Sequence, residues 1–255
     1  MANPVPSKNQ SVAPQKVRVS IVIPARDEAL AIGGIISQLK ATGEYEVILV
    51  DDGSKDSTRK IGESLGAIVV SHPKNLGKGA AMKTGAERAT GDIIVFLDGD
   101  GQHRAADLPK VLAPILRGNA DMVIGSRTLP DSEVTIVPVQ RKWSNGLASF
   151  TISFIISFLL PIRTAFRVPM RWINITDCTS GFRAIKKEKW SQLNLVSNGF
   201  EIETEMILES ARRRMVIKEA PISCTWDARI SHLYVLKDGL KTLVLLLGKL
   251  ARNPK

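Results

Sequence analysis

The sequence has 255 residues, of which 44% are hydrophobic and 24% charged, and this composition excludes a collagen-like, low-complexity or wholly disordered chain. Its 35 Lys and Arg residues exceed its 25 Asp and Glu residues, and the net charge of +10 points to an anionic partner: nucleic acid, a membrane surface or a phosphorylated ligand. The two cysteines, Cys178 and Cys224, cannot form a disulfide framework, so a reducing, cytoplasmic setting is expected.

The first half of the chain alternates between predicted strands and helices. Short, nearly all-apolar runs predict five strands: Val17–Ile23, Glu46–Val50, Ala67–Val70, Asp92–Leu97 and Asp121–Ile124. Helices are predicted between them, over Glu28–Lys40, Ser57–Leu65, Lys78–Arg88 and Asp107–Leu116. Apolar strands separated by helices indicate an α/β fold, with a mostly parallel sheet covered by helices on both faces.

An uncharged stretch of 19 residues, Ser144–Ile162, follows the predicted sheet. Its length approaches the ~20 residues that span a bilayer. However, serines recur in it at positions 149, 153 and 157, it is interrupted by Pro161, and basic residues flank it on both sides. A helical segment over residues 143–172 that lies in the membrane interface explains this pattern better than a span or a plain core helix.

The chain is long enough for one large α/β domain with a small appendage. Residues 1–16 contain three prolines and no acidic residue, so we predict a flexible tail there. The α/β domain is predicted over 17–232. Residues 233–255 combine Leu and Val with lysines and predict a C-terminal amphipathic helix, which either meets the membrane or packs on the core.

Acidic residues follow the carboxyl ends of the predicted strands, where ligands bind in open parallel sheets. Asp98 and Asp100 end the fourth strand, and the glycines beside them let both carboxylates aim at one point. Together with Gln102 they form an oxygen-donor set that suits Mg²⁺ or Mn²⁺ and leaves coordination positions for phosphates. An isolated Asp-x-Asp is more often a solvated turn, but the other acidic strand ends favour a metal site here.

Two further strand ends leave alternatives open. Asp51 and Asp52 either cap local structure or accept hydrogen bonds from a base or ribose. The segment 75–80 precedes a predicted helix, and its glycines would let backbone N–H groups approach a phosphate while Lys78 adds charge. The segment matches neither a P-loop nor a dinucleotide fingerprint.

Six motifs in this chain carry a resemblance to a known family. They are Pro24–Glu28, Val50–Ser54, Asp98–Gln102, Ser126–Arg127, Thr179–Arg183 and Gly199–Glu203. In this order the chain resembles glycosyltransferase family 2, and within it the polyprenyl-phosphate branch of dolichyl-phosphate mannose and glucose synthases. The acidic strand ends are generic to GT-A folds, whereas the last two motifs are more specific to this branch. The resemblance spans about residues 17 to 245 and implies a GT-A fold, with a Rossmann-like sheet.

The resemblance also implies a reaction. It is the inverting, metal-dependent transfer of a hexose from a nucleotide-diphosphate sugar to dolichyl or polyprenyl phosphate, which gives a lipid-linked sugar donor for glycosylation. A UDP-sugar is favoured over GDP-mannose because the Gly77–Ala80 turn is more like that of UDP-sugar-dependent members. Such an enzyme would act at the cytoplasmic face of a membrane, as a peripheral or monotopic protein.

The residue roles that the resemblance implies fall into three sets. Asp98, Asp100 and Gln102 would hold Mg²⁺ or Mn²⁺. Arg127 and Arg141 would bind the acceptor phosphate. The nucleotide sugar would meet Pro24, Ala25, Asp27, Glu28, Asp51 or Asp52, Lys78, Asp98, Arg229 and Ser231.

Two residues keep open roles. Arg183 would serve a phosphate or a structural carboxylate. His103, which follows the acidic loop, would either support the metal ligands from behind or lie at the surface, and the surface role is favoured. A strong general base is not required, because a phosphate monoester is nearly a dianion at neutral pH and is already nucleophilic.

Other functions are less well supported by the sequence. A nucleic-acid-binding protein is disfavoured, because acidic strand ends repel phosphates and no aromatic stacking motif is present. A catalytically inactive scaffold is disfavoured because Asp98 and Asp100 are both retained. The main alternative is a family 2 transferase that acts on a soluble or cell-wall saccharide.

Overall fold

The fold is described from a computed structural model. The structure describes residues 17–134, 139–159 and 173–225, without the side chains of 139–144, and residues 242, 245, 246, 248 and 249 near the C-terminus. Several predictions fall outside the described residues. They concern the tail over 1–16, residues 160–172 of the interface segment, Arg229, Ser231 and most of the C-terminal helix.

The described strands form one seven-stranded sheet. They are β1 (Val19–Ala25), β2 (Glu46–Asp51), β3 (Ile68–Ser71), β4 (Ile93–Phe96), β5 (Met122–Ser126), β6 (Arg183–Lys186) and β7 (Ile217–Pro221). Their order is β3-β2-β1-β4-β6-β5-β7. The sheet is mostly parallel, as predicted, with β6 inserted antiparallel between β4 and β5.

Helices cover both faces of the sheet. The described helices are α1 (Ile32–Thr42), α2 (Thr58–Ser64), α3 (Lys78–Arg88), α4 (Leu108–Leu116), α5 (Val139–Phe154), α6 (Lys187–Trp190) and α7 (Ile202–Arg212). Two core clusters lie on opposite sides of β1, since Ile21 and Ile23 join one cluster and Val22 joins the other. This alternation explains why the strand is apolar throughout.

Helix α1 begins at Ile32, four residues later than the predicted start at Glu28. Asp27, just before the predicted start, has left-handed backbone with φ 56°, and residues 29–31 form a turn before the helix begins. The amides of Glu28 and Ala29 donate to Thr58 Oγ1 and Asp56 Oδ2 at 2.8 and 2.9 Å. The α2 region therefore holds Glu28 in a loop, at the end of the sheet where the acidic residues gather.

Helix α5, followed by a π-helical turn at Ile155–Leu159, turns its serines toward the protein. Ser149, Ser153 and Ser157 are buried, and their Oγ atoms accept hydrogen bonds at 2.9–3.0 Å from the amides of an extended segment, namely Cys178, Ile175 and Ile173. The serine face thus packs inside the protein, as expected for the alternative of a core helix. Among the described residues, no helix has the length and apolar character needed to cross a membrane.

The opposite face of this helical segment is apolar and exposed. Leu147 is 69% exposed and Phe154 is 43% exposed, and Leu159 ends the same surface. Near the C-terminus, Leu246 is buried in the second core cluster, and Lys249 is buried 2.8 Å from Glu205 Oε1. These two C-terminal residues pack on the core, in line with that alternative for the C-terminal helix.

Candidate active site

The acidic loop after β4 is held by close contacts with two other segments. At Gly99, an added Cβ would lie 2.8 Å from the Cβ of Ala25, so only glycine allows the loop to approach the end of β1. At Gly181, an added Cβ would lie 2.1 Å from Asp98 Oδ2. The carboxylate of Asp98 therefore occupies the space that a side chain at 181 would fill, a role for Gly181 that the sequence analysis did not identify.

Lys78, Asp98 and Glu203 form a buried charged cluster. Lys78 Nζ lies 2.6 Å from Asp98 Oδ1 and 2.6 Å from Glu203 Oε1, with the three side chains 12%, 21% and 5% exposed respectively. Burial would lower the pKa of Lys78, but the two carboxylates raise it above its ordinary value, so the ammonium is charged. Sequence reasoning missed Glu203 as a site residue, although it ends the Gly199–Glu203 motif.

Negative charge exceeds positive charge around this cluster. Burial, followed by the charge of Asp98, raises the pKa of Asp100 to about 6. Burial, followed by the charges of Asp100 and Asp98, raises the pKa of Glu28 to about 8. Burial alone would raise the pKa of Asp98 as well, but Lys78 holds it below its ordinary value. Such a surplus is typical of sites that receive a cation with their ligand.

The donor set fits a divalent cation that is shared with a ligand. Asp98 and Asp100 offer hard carboxylate oxygens. The backbone N–H of the buried Gln102 donates to Asp100 Oδ1 at 3.0 Å and orients that carboxylate. In the described parts of the chain, no three His, Cys, Asp or Glu side chains cluster so that they could hold a metal ion by themselves. A diphosphate that supplies oxygens would complete the coordination.

The predicted nucleoside residues come together at the ends of β1 and β2. Ala25 is the register partner of Asp51, and the Asp52 amide donates to the Ala25 carbonyl at 2.9 Å. Pro24 is buried in the same strand. Asp27 binds the neighbouring loop, since its Oδ1 accepts the Lys55 amide at 2.7 Å.

The structure distinguishes Asp51 from Asp52. Asp52 holds the loop before α3: its oxygens accept the amides of Leu76 and Gly77 at 2.8 and 2.9 Å, and His72 Nδ1 lies 2.7 Å from Oδ1. Asp51 accepts the Ser54 amide at 3.0 Å. Asp52 is thus committed to local structure, which leaves Asp51 as the better candidate for a ligand contact.

The segment 75–80 does not use its glycines as predicted. The amides of Gly79 and Ala80 both donate to the Asn198 carbonyl, at 2.7 and 3.3 Å, and an added Cβ at Gly77 would lie 2.3 Å from that oxygen. The glycines allow the 197–199 segment to cap α3, so the prediction that these amides approach a phosphate is wrong. Lys78 nevertheless reaches the site through its side chain.

Arg127 is bound on one side by a buried carboxylate. Its Nε and Nη2 donate to the two oxygens of Asp177 at 2.7 and 2.8 Å, and Nη2 also donates to Thr179 Oγ1 at 3.0 Å. Burial would raise the pKa of Asp177, but Arg127 lowers it to about 2. Arg141 lies in the first turn of α5, and its side chain is outside the described part, as are Arg229 and Ser231.

Arg183 and His103 differ from their predicted environments. Arg183 is fully buried and donates to the carbonyls of Ser180, Glu203 and Cys178 at 2.6–2.7 Å, so it binds backbone in place of a phosphate or carboxylate. His103 is 6% exposed, so the expectation of a surface residue is wrong. Burial lowers its pKa to about 4, and its Nε2 lies 4.0 Å from Asp98 Oδ2.

Comparison with known proteins identifies the family. A sequence model of Glycosyl transferase family 2 matches residues 20–193. The chain belongs to glycosyltransferase family 2. Family membership confirms the prediction of a family 2 glycosyltransferase, and the name of one relative, a dolichyl-phosphate N-acetylglucosaminyltransferase, agrees with the polyprenyl-phosphate branch.

Two of the family 2 relatives align with most of this chain. One is the UDP-N-acetylglucosamine–dolichyl-phosphate N-acetylglucosaminyltransferase of Methanococcus voltae, which is 30% identical and is aligned over 91% of this chain and 97% of its own length. Another is glycosyltransferase AglJ of Haloferax volcanii, which is 31% identical over 87% of this chain and 68% of its own length.

Solved structures confirm the GT-A fold. Glucosyl-3-phosphoglycerate synthase from Mycobacterium tuberculosis, bound to phosphoglyceric acid, is 20% identical, with a TM-score of 0.68 over 94% of this family 2 chain and 82% of that chain. The same synthase in complex with Mn²⁺, UDP-glucose and phosphoglyceric acid gives a TM-score of 0.66 at 19% identity, again over 94% and 82%. At this identity the likeness concerns the fold.

Proposed function

We propose that this family 2 glycosyltransferase moves a sugar from a UDP-sugar to a polyprenyl phosphate at a membrane surface, with Mg²⁺ or Mn²⁺ as cofactor. One observation carries the proposal: the carboxylates of the candidate metal site lie near Arg127, and Arg127 is linked through Thr179 to α5, a helix with an exposed apolar face. Burial acts to raise the pKa of both Asp98 and Asp100, and the charge of Arg127 is close enough to oppose that effect at each carboxyl.

The donor side is formed by the acidic strand ends. Asp98, Asp100 and Gln102 would hold the cation, which would neutralise the diphosphate of the departing nucleotide. Asp51, Asp27 and Glu28 would line the nucleoside pocket, at the ends of β1 and β2. A UDP-sugar is supported by the Methanococcus voltae relative, whose name specifies UDP-N-acetylglucosamine, and by the neighbour that binds UDP-glucose with Mn²⁺.

The acceptor side is formed by Arg127 and, by the family resemblance, Arg141. A phosphate monoester brings its own nucleophilic oxygen, so these arginines need to place it and lower its charge repulsion with the donor. His103 does not act as a general base in this proposal, because the acceptor phosphate brings its own nucleophilic oxygen and His103 is buried beside Asp98. Direct displacement by the acceptor oxygen inverts the anomeric carbon.

Contacts connect the acceptor side to the apolar surface. Thr179 Oγ1 accepts from Arg127 Nη2 and donates to Asn145 Oδ1 of α5, both at 3.0 Å. On the same helix, Leu147 and Phe154 are exposed. A helix that is linked to the arginine through Thr179 and presents apolar side chains on another face fits a lipid-linked acceptor and a peripheral position on an anionic, cytoplasmic membrane face.

The test is a transfer assay on the purified full chain. Labelled UDP-sugars and GDP-mannose are each incubated with polyprenyl phosphate in detergent and Mn²⁺, and the product is extracted into organic solvent. We expect label in the organic phase with a UDP-sugar, and none with D98N/D100N or with EDTA. Absence of organic-phase label from every donor, with active enzyme on a soluble acceptor, would refute the lipid acceptor.

A soluble acceptor is the second candidate. It is supported by the solved neighbours, whose names specify phosphoglycerate as the acceptor, a phosphorylated molecule with no lipid. Phosphoglycerate included in the same assay distinguishes the two, since its glucosylated product stays in the aqueous phase.

A further inference from the structure

The ammonium of Lys78 lies against an oxygen that the proposed function gives to a metal ion. Lys78 Nζ is 2.6 Å from Asp98 Oδ1, at ion-pair distance. A divalent cation that binds this oxygen has to displace the Lys78 ammonium, or share the oxygen with it, and the two charges have the same sign. We propose that Lys78 is an internal counter-ion of Asp98, so that the divalent cation binds tightly only together with the nucleoside diphosphate. This inference rests on the proposed function and adds an order of binding to it.

Lys78 cannot leave the cluster easily. Its backbone starts α3, whose first amides are capped by the Asn198 carbonyl. Its ammonium lies 5.4 Å from the centre of the Phe200 ring. The side chain is therefore held between the 197–200 segment and the acidic loop, where it faces Asp98.

Glu203 gives Lys78 a second partner. Glu203 Oε1 lies 2.6 Å from Nζ, and the Glu203 carbonyl accepts from the fully buried Arg183, which fixes this part of α7. When a cation takes Asp98, Lys78 remains paired with Glu203 and is free to share its charge with the incoming diphosphate. Glu203 is thus a positioning residue, which acts on the metal site through Lys78.

The arrangement accounts for the charge balance of the free enzyme. Asp98 and Glu203 share the Lys78 ammonium, and Arg127 is paired with Asp177, so Asp100 has no cation of its own among the described residues. A bare divalent cation gains the attraction of Asp100 but has to overcome repulsion from Lys78. A diphosphate removes that obstacle, because its negative charges are attracted both to the cation and to Lys78.

The experiment is a Mn²⁺ titration of the full chain, followed by electron paramagnetic resonance of free Mn²⁺, without nucleotide and then with UDP. Wild type should bind Mn²⁺ weakly alone and at least about tenfold more tightly with UDP. K78M should bind Mn²⁺ about tenfold more tightly than wild type without UDP and respond less to UDP. E203Q should bind Mn²⁺ more weakly than wild type without UDP, since Lys78 then has Asp98 alone.

Two further variants control the titration. In K78M the buried carboxylate of Glu203 loses its cation, which could impair folding. K78M/E203Q neutralises that carboxylate as well, so the test remains valid if K78M folds poorly. K83M is the matched control, because Lys83 lies on the same helix and donates to Asn198 Oδ1 at 2.8 Å, away from the carboxylates. Its Mn²⁺ affinity should equal that of wild type.

The outcomes separate the inference from the proposed function. If K78M and K78M/E203Q bind Mn²⁺ no more tightly than wild type, while wild type binds Mn²⁺ with UDP, Lys78 does not compete with the cation and the inference fails alone. If no variant binds Mn²⁺ even with UDP, both the inference and the metal site of the proposed function fail.

Discussion

Buried carboxylates on the two sides of the candidate active site are balanced in opposite ways. On the acceptor side, Asp177 is paired with Arg127 through two side-chain hydrogen bonds, and Arg127 lowers its pKa to about 2 although burial opposes this. On the donor side, burial and neighbouring carboxylates raise the pKa of Asp100 to about 6 and that of Glu28 to about 8.

This difference separates a structural carboxylate from a functional one. A buried acid with its own arginine is satisfied within the fold and needs nothing from a ligand. A group of acids that share too little positive charge destabilises the free protein, and it is retained where a ligand supplies the missing charge. Neutralising one carboxylate should therefore have opposite effects on stability on the two sides.

The largest effect is expected from D177N. Removing one partner of a buried ion pair leaves the other uncompensated, which costs ~3–5 kcal/mol; we expect the lower end, because Arg127 is 25% exposed. Urea unfolding of the full chain measures the change. D131N, at an exposed position in the loop that follows Arg127, should stay within about 0.5 kcal/mol of wild type. A D177N variant as stable as D131N would show that the acceptor side is not held by this pair.

On the donor side, D100N should separate activity from stability. Loss of a metal-binding carboxylate should reduce turnover on the order of 10²-fold. Without metal, the same variant should be more stable by ~1–3 kcal/mol, because each unit by which the pKa is raised opposes the ionised form by about 1.4 kcal/mol.

Turnover and urea unfolding, measured on the same preparation, check both effects of D100N. D92N is the matched control: Asp92 precedes β4 at the opposite end of the strand, where it accepts the Arg18 amide at 2.8 Å. It should leave turnover unchanged. A D100N variant that is less stable than wild type without metal would contradict the idea of uncompensated charge.

The two sides should also give opposite slopes in stability against pH. Asp100 and Glu28 have raised pKa values in the folded state, so they bind protons more readily when folded, and their contribution to stability increases as the pH falls from about 8 to about 4. Asp177 has a lowered pKa, so its contribution is present above about 4 and is lost as the pH falls toward 2.

Urea midpoints of the metal-free chain at several pH values test this. Together these groups predict a maximum near pH 4–5, with on the order of 3–6 kcal/mol gained relative to pH 8. D100N should flatten the upper part of the curve and D177N the lower part. Stability that rises from pH 5 to pH 8 in the metal-free chain would contradict the proposed excess of negative charge on the donor side.

Periodicity predicted most of the sheet and part of the site. The strands β1 to β5 lie within two residues of their predicted bounds, and α3 matches its prediction, because an apolar run flanked by polar residues is a local signal. The antiparallel β6 was not predicted. It has four residues, Arg183–Lys186, with a charged residue at each end, and its place between β4 and β5 depends on pairing partners far away in sequence.

Site residues divide in the same way. Asp98 and Asp100 could be found because they follow a strongly apolar strand, where an acidic pair is informative. The roles of Gly181, Glu203 and Asp177 arise from contacts with residues 50 or more positions away, and their neighbours in sequence give no sign of them. Glu28 was placed in a helix because its loop conformation depends on a hydrogen bond to Thr58, 30 residues away, which the side-chain pattern does not reveal.

The smallest effect concerns the membrane, and it follows from the balanced charge of the acceptor side. Since Asp177 already neutralises much of Arg127, attraction to anionic lipid should depend on apolar contact as well as charge. L147Q/F154Q removes two exposed apolar side chains of α5 and should weaken partition onto anionic liposomes by about tenfold or less, with unchanged stability. L116Q is the control, because Leu116 is 54% exposed at the end of α4, away from α5. Sedimentation with liposomes measures the partition, and equal losses in the two variants would show that this helix face has no special part in membrane contact.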